Sequence, residues 1–392
     1  MIPFLFWSSA LILFYIYFGY PILLWIWGLV SPKPIRASLQ SPSVSILMSV
    51  FNEEEVIAKK MENLLSLDYP KEKMEILVGS DGSTDKAEEI LKRTAGERVR
   101  FFSVTPRRGK PRMLNLLAQQ AKGEILIFTD ARQKIDSRAV RQLVKNFSDP
   151  SVGCVSGELV FEKVKGSVGE GVGVYWRYEK FIRTQESRID SVIGATGALY
   201  AVRRALCRPI PEETILDDLY LPMQVVAQGY RTLLENEAEV YDDTSATPRQ
   251  EYERKVRTLA GNYQSFAQLS WLLNPLKSRV AVQFISHKLL RILAPFFLML
   301  FFISNLFLLG DPLARICLIA QTAFYLFALV GAAGPHPLRK IFSAPYVFCL
   351  LNLSALAGLY RYLLGRQQVT WKKVNGLQCT VYGKEDFISR KP

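Results

Sequence analysis

The sequence predicts an α/β domain, a parallel sheet covered by helices, held between apolar segments that cross a membrane. Three observations predict it. The first thirty of the 392 positions contain no charged residue, and a second apolar zone runs from about Leu289 to Leu364. Charged residues concentrate between Lys33 and Arg291, a segregation that a soluble core does not produce. Within the polar part, apolar runs of strand length alternate with helical stretches, the pattern of a βαβ sheet.

The elements follow in chain order. The Met1–Val30 run is long enough to cross a hydrocarbon layer of ~30 Å. It lacks a basic leader and a small-residue cleavage site, so it is expected to be a retained anchor. The Pro-rich basic exit, Ser31 to Arg36, places the following domain on the cytoplasmic side by the positive-inside tendency. Strands are expected at Val44–Val50, Met74–Ser80, Val99–Val104 and Glu124–Thr129. Helices are expected at about Glu54–Ser66, from Asp85 to about Arg93, and at Lys110–Ala121. Beyond Asp130 the pattern loosens. Tyr175–Glu186 and Arg249–Gln268 read as helices and Ala198–Val202 as a strand. A helix opens at Leu216-Asp217-Asp218 and stops near Gly229. Trp271 and the basic helix before it suggest a segment lying in the membrane interface.

Three further apolar stretches, at about 289–309, 314–333 and 341–364, close the chain. The basic loop His336 to Lys340 is expected to be cytoplasmic. The third stretch fits either a full crossing, which would leave Arg361, Arg366, Lys372 and Lys373 outside, or a re-entrant or interfacial helix. The expected division is an anchor over 1–30, a cytoplasmic catalytic domain over 41–248, and interfacial helices over 249–278. Membrane helices follow over 279–365 and a basic cytoplasmic tail over 366–392.

The formal net charge of +13 suits an anionic leaflet and an anionic nucleotide-sugar. Nucleic acid is not expected as a partner, because the basic residues flank membrane segments and no binding motif is present. The five scattered cysteines, Cys154, Cys207, Cys317, Cys349 and Cys379, form no C-x-x-C pair. They suggest neither a disulfide framework nor a zinc site.

In a sheet of this kind, ligands bind beyond the carboxyl ends of the strands. Asn52-Glu53, Asp81-Gly82-Ser83 and Asp130 all fall there. Asp81 suits hydrogen bonds from a base or ribose, and D-G-S is equally a common turn. Asp130 suits either a divalent cation bridging a diphosphate or a helix N-cap. Asp217-Asp218 fits a general base, since adjacent carboxylates raise one pKa, and also a helix start favoured by the dipole. Arg254 and Arg257 share a helix face, which fits a diphosphate clamp or a solvated basic face. Lys110 suits phosphate or an exposed loop.

Taken together, the order of these motifs resembles the processive family 2 glycosyltransferases, such as cellulose, chitin and hyaluronan synthases and bacterial exopolysaccharide enzymes. The resemblance covers roughly Val44 to Gln264. It rests on Ser49-Val50-Phe51-Asn52-Glu53, Asp81-Gly82-Ser83-Thr84-Asp85, Thr129-Asp130-Ala131, Gly194-Ala195-Thr196-Gly197, Asp217-Asp218 and Arg254-Lys255-Val256-Arg257. Val369 to Lys373 also resembles the tail of bacterial members.

The resemblance implies a GT-A fold flanked by transmembrane helices, and an inverting transferase on an inner membrane. Asn52, Glu53, Asp81, Lys110, Asp130, Arg254 and Arg257 would bind the donor, a UDP-sugar. Gly194, Thr196, Gly197 and Asp217 would meet the acceptor, and Asp218 would be the catalytic base. Asp130 would touch a Mg²⁺ or Mn²⁺. Arg132 stands where the family usually has a second acid, Arg254 stands at its Gln and Thr258 at its Trp. These departures bear on metal use and on the acceptor. The expected acceptor is a growing polysaccharide. The alternatives are a single sugar transferred to a polyprenyl phosphate or glycolipid, and a non-catalytic subunit of a polysaccharide machine.

Overall fold

A computed structural model describes residues 1–163, 166–243 and 247–368. Eight strands form one sheet: β1 Val44–Val50, β2 Met74–Asp81, β3 Val99–Val104, β4 Ile125–Thr129, β5 Lys134–Ile135, β6 Val152–Lys163, β7 Leu199–Arg203 and β8 Arg231–Asp243. Their order is β3-β2-β1-β4-β7-β6-β8-β5.

The first four strands run parallel, as the alternating pattern requires. β1 shows why. Ile46, Met48 and Val50 enter one apolar cluster, while Leu47 enters the cluster on the opposite face. A strand buried on both faces reads as a continuous apolar run, typical of parallel sheets. Beyond β4 the all-parallel expectation is corrected. β7 is antiparallel to both β4 and β6, and β5 is antiparallel to β8, so the sheet is mixed. β7 leaves the loop at 194–197, at the carboxyl end of β4, and therefore runs back along it. The long strands β6 and β8 interrupt their apolar runs with Glu158, Glu235 and Glu239, and so carry neither alternation nor an unbroken apolar signal.

Helix Gly166–Ile189 is longer than the 175–186 expected. It packs against the N-terminal helices and against helix Ser343–Leu363. Helix Pro248–Gln268 opens on Thr247, whose hydroxyl accepts the Gln250 N–H at 3.2 Å. It runs along Ser343–Leu363 so closely that a Cβ at Gly358 would stand 2.9 Å from the Ala260 nitrogen.

Among the described residues, four helices are long and apolar enough to cross a membrane: Ile2–Val30, Ala281–Leu306, Pro312–Ala333 and Ser343–Leu363. The last is one unbroken helix of 21 residues. Two of the four contain a π-turn, at Tyr15–Gly19 and Ile285–Leu289, and these touch through the Tyr15 and Ser286 hydroxyls at 2.8 Å. The junction of domain and membrane helices is tied by Asp190, which accepts from Lys33 Nζ at 2.6 Å and Arg279 Nε at 3.0 Å. The Val369–Lys373 motif, Cys379 and most of the basic tail lie outside the described residues.

Candidate active site

The carboxyl ends of β1, β2 and β4 and the amino end of β7 meet one cavity of about 2790 Å³. Asn52 turns the chain at β1 with φ +53°. Its side chain accepts the Thr84 N–H at 2.8 Å, and its own N–H donates to Ser83 Oγ at 3.1 Å. Asn52 thus holds the 82–85 turn. Glu53 receives Arg132 Nε at 3.0 Å.

Asp81 accepts the backbone N–H groups of Arg108 and Gly109, each at 2.8 Å. The approach is tight: Gly82 has φ +72°, and a Cβ there would meet the Arg107 nitrogen at 3.0 Å. Arg107 lies over the Phe51 ring, 3.4 Å from its centroid, and both line the cavity.

Lys110 opens helix Lys110–Gln120 and points at the acids. Its ammonium lies 2.9 Å from Asp130 Oδ1 and 3.3 Å from Asp217 Oδ1. Burial by itself would lower the Lys110 pKa, and the charges of Asp130, Asp217 and Asp218 outweigh it and hold the pKa above the ordinary lysine value. No helix begins at Asp130; the next starts at Ala139, which leaves the carboxylate free of a capping role. Beneath it lies Lys60, buried and bonded to Thr129 Oγ1 at 3.0 Å and the Gln133 carbonyl at 2.7 Å. Burial lowers its pKa to about 7, against the pull of Asp130.

Asp217 and Asp218 begin helix Asp217–Ala227. The buried Asp217 faces Lys110 and accepts from the Tyr200 hydroxyl at 3.4 Å. Its side chain is therefore turned towards the Lys110 ammonium. Asp218 faces the cavity, and its backbone carbonyl accepts the Ala195 N–H at 2.7 Å. Gly194, at φ +88°, turns that loop, and a Cβ at Gly197 would stand 2.8 Å from Asp218 Oδ2. Thr196 is buried and accepts Arg183 Nη1 at 2.9 Å. The loop at 194–197 thus wraps Asp218. Burial first, and then the Asp217 charge, raise the Asp218 pKa to about 6, while Lys110 and Lys288 pull it down.

Arg257 projects from helix Pro248–Gln268 towards these acids. Burial lowers its pKa, while Asp217, Asp218 and Asp130 pull it up. Its Nε is buried and has no hydrogen-bond partner among the described residues. Arg254 lies one turn away, and its Nη2 donates to Glu251 at 2.6 Å. The two arginines share a face, as their spacing predicts, and the Arg254 fork is occupied by a buried carboxylate.

Sequence reasoning did not find the far wall. His287 sits between Glu179 and Glu186 at 2.9 Å each, Arg291 reaches Glu179 at 2.7 Å, and Tyr20 donates to Glu186 at 2.7 Å. The signal was present as His287, Lys288 and Arg291 at the edge of an apolar stretch, where ionisable residues are rare and usually functional. Beyond them the cavity continues between Leu13, Phe301, Phe324, Phe348 and Leu351 of the membrane helices.

Residues 45–209 match Glycosyl transferase family 2. The chain is 32% identical over 201 residues to the beta-monoglucosyldiacylglycerol synthase of Nostoc sp., covering 49% of this chain and 42% of that protein. It is 31% identical over 155 residues to the poly-beta-1,6-N-acetyl-D-glucosamine synthase of Staphylococcus epidermidis, covering 35% and 37%. The chain thus spans less than half the length of these relatives. A solved mannosyltransferase of Pyrobaculum calidifontis, in complex with GDP-Man and Mn2+, shares the fold with a TM-score of 0.70. The identity is 22%, over 92% of this chain and 99% of that one.

Proposed function

We propose that this chain, which carries a family 2 glycosyltransferase domain of GT-A fold, transfers a sugar with inversion from a nucleoside-diphosphate sugar to an acceptor held by the membrane. The observation that carries the reading is the single cavity. It joins Asp218 and Arg257 to apolar faces of helices long enough to cross a bilayer.

The chemistry follows from the groups present. Asp218 takes the proton of an acceptor hydroxyl. That oxygen bonds to the anomeric carbon as the bond from this carbon to the phosphate oxygen breaks, and the electron pair leaves with the nucleoside diphosphate. A carboxylate titrating at about 6 is ionised at neutral pH and still basic enough to help, worth typically ~10²–10⁴-fold. Arg257, with its unpartnered Nε, is aimed at the same acids and suits the charge that grows on the leaving group. Lys110 holds Asp130 and Asp217 in register.

A resident metal does not fit the donor set. Arg132 is drawn to Glu53, and no group of three potential ligands exists among the described residues. A divalent ion bound chiefly by diphosphate oxygens needs only one or two carboxylates, and Asp130 can supply one. Asp130 would hold such an ion, which would offset charge on the leaving diphosphate; the mannosyltransferase that shares the fold was solved in complex with GDP-Man and Mn2+.

The apolar far wall favours a lipid-borne acceptor, in line with the glucosyldiacylglycerol synthase relative. A growing polysaccharide is the second reading, supported by Tyr175, Trp176 and Tyr178 in the wall, where a sugar ring can stack. The basic exit after the first span supports a site at the cytoplasmic face of the cell membrane. The test is nucleotide release by purified protein in nanodiscs, with UDP-glucose, UDP-N-acetylglucosamine and GDP-mannose, followed by sizing of the product. One sugar on a lipid supports the first reading; a polymer ladder supports the second.

A further inference from the structure

We propose that Lys288 is the anion-binding residue of an acceptor subsite, and that the acceptor is a lipid whose headgroup carries a phosphate beside the attacking hydroxyl. This rests on the lipid-acceptor reading above and narrows its substrate class.

Lys288 lines the cavity, and its charge acts on Asp218 and on Glu179. It lines the same cavity as Asp218 and Glu179 and follows His287 directly in the chain. Around this stretch of wall four cations, Arg183, Lys255, Lys288 and Arg291, stand against three carboxylates, Glu179, Glu186 and Glu251. The positive excess draws an anion.

Three of the four are already engaged. Arg291 pairs with Glu179 at 2.7 Å, and Lys255 pairs with Glu251 at 3.8 Å and lies over Tyr175. Arg183 donates to Thr196 at 2.9 Å and Ser156 at 2.8 Å. Among the described residues, Lys288 has neither a hydrogen bond nor an ion pair with any protein group. An ammonium without a partner at the mouth of an apolar cavity is costly, and the cost falls when a ligand brings the counter-charge.

The backbone gives a second, independent observation. Lys288 lies on the π-turn Ile285–Leu289, near the start of the second membrane-length helix, Ala281–Leu306. Such insertions are uncommon and concentrate at functional sites. On the apolar side of Lys288 lie Leu298 and Phe301 of the same helix and Phe324 and Phe348 of the next two. That order, base, then cation, then apolar slot, matches hydroxyl, phosphate, then acyl chain. Diacylglycerol offers the first and third groups and leaves Lys288 without a counter-charge.

The test compares phosphatidylglycerol with diacylglycerol as acceptors in nanodiscs of a phosphatidylcholine matrix, for wild type, Lys288→Gln and Lys288→Arg. Donor binding is read separately as a nucleotide-sugar thermal shift, which also reports folding. Phosphatidylglycerol is expected to accept the sugar. Lys288→Gln should raise its KM about 10- to 100-fold, the loss of one charge-assisted hydrogen bond, and Lys288→Arg should recover most of that. Diacylglycerol accepting as well as phosphatidylglycerol, with an acceptor KM unmoved by Lys288→Gln, would overturn the subsite and leave the lipid-acceptor reading standing. So would an equal loss on both lipids accompanied by a shifted pH profile, which would make Lys288 only a tuner of Asp218. Transfer to polyprenyl phosphate that survives Asp218→Asn would overturn the hydroxyl. Donor binding without transfer to any lipid would bring down both the subsite and the reading beneath it.

Discussion

Gly197→Ala separates the position of the base from the stability of the fold. A methyl group at 197 would stand 2.8 Å from Asp218 Oδ2 and 3.4 Å from its Cγ. The first distance is roughly half an ångström inside ordinary contact. The obstructing atom is the free end of a side chain that borders a cavity, so Asp218 can swing away. Gly197 itself does not occupy the left-handed backbone region. The melting temperature should therefore stay close to that of the wild type. The catalytic geometry should not survive, because a displacement of ~1 Å costs about 10²-fold and loss of the base altogether ~10²–10⁴-fold. The assay is donor-dependent nucleotide release, with the nucleotide-sugar thermal shift as a binding control. A fall in kcat of about 10²-fold with intact donor binding is expected. Near-normal turnover in Gly197→Ala, in the same preparation where Asp218→Asn is inactive, would refute the placement of the base.

Other perturbations probe the remaining groups. The pH profile of kcat/KM should rise through about 6, where Asp218 titrates, and level off above; Lys110→Met removes a charge that lowers this pKa and should move the rise to higher pH. Arg257→Met should cost about 10²–10³-fold in kcat, the usual loss of one preorganised group at a developing charge, with little change in donor KM. Asp190→Asn should lower stability by about 3 kcal/mol, at the low end for a broken buried pair because Lys33 is half exposed. Burial raises the Asp190 pKa, and bonds from Lys33 and Arg279 outweigh it and hold it below the usual aspartate value. Its contribution is therefore present above the unfolded-state pKa, and the melting-temperature gap between wild type and Asp190→Asn should close as pH falls below about 4.

The parallel half of the sheet was legible because its strands are short and mostly apolar, with β1 and β4 buried on both faces. Its carboxyl ends carry Asn52, Asp81 and Asp130, of which Asp81 and Asp130 line the cavity. The antiparallel half was not legible. β6 carries the buried acid Glu158 and β8 carries Glu235 and Glu239 at partly exposed positions, and the direction of β7 depends on a loop whose partner, Asp218, lies more than twenty residues further along the chain. The roles of single side chains were the least visible. Asn52 and Asp81 hold loops through backbone N–H groups, a use that no motif announces. Asp217 and Asp218 are adjacent in sequence, yet one faces a buried lysine and the other the cavity. The far wall was missed because it is assembled from three helices distant in sequence, through Tyr20, Glu179, Glu186 and His287. None of these residues has a neighbour in the chain that hints at its partner.

The most direct test of the account is nucleotide release from a panel of nucleotide-sugars by the protein in lipid nanodiscs, wild type against Asp218→Asn. The account predicts release from one donor, dependent on an acceptor lipid and abolished in Asp218→Asn although that variant still binds the donor. Equal release by both proteins, or none from any donor by a wild type that binds nucleotide, would contradict it.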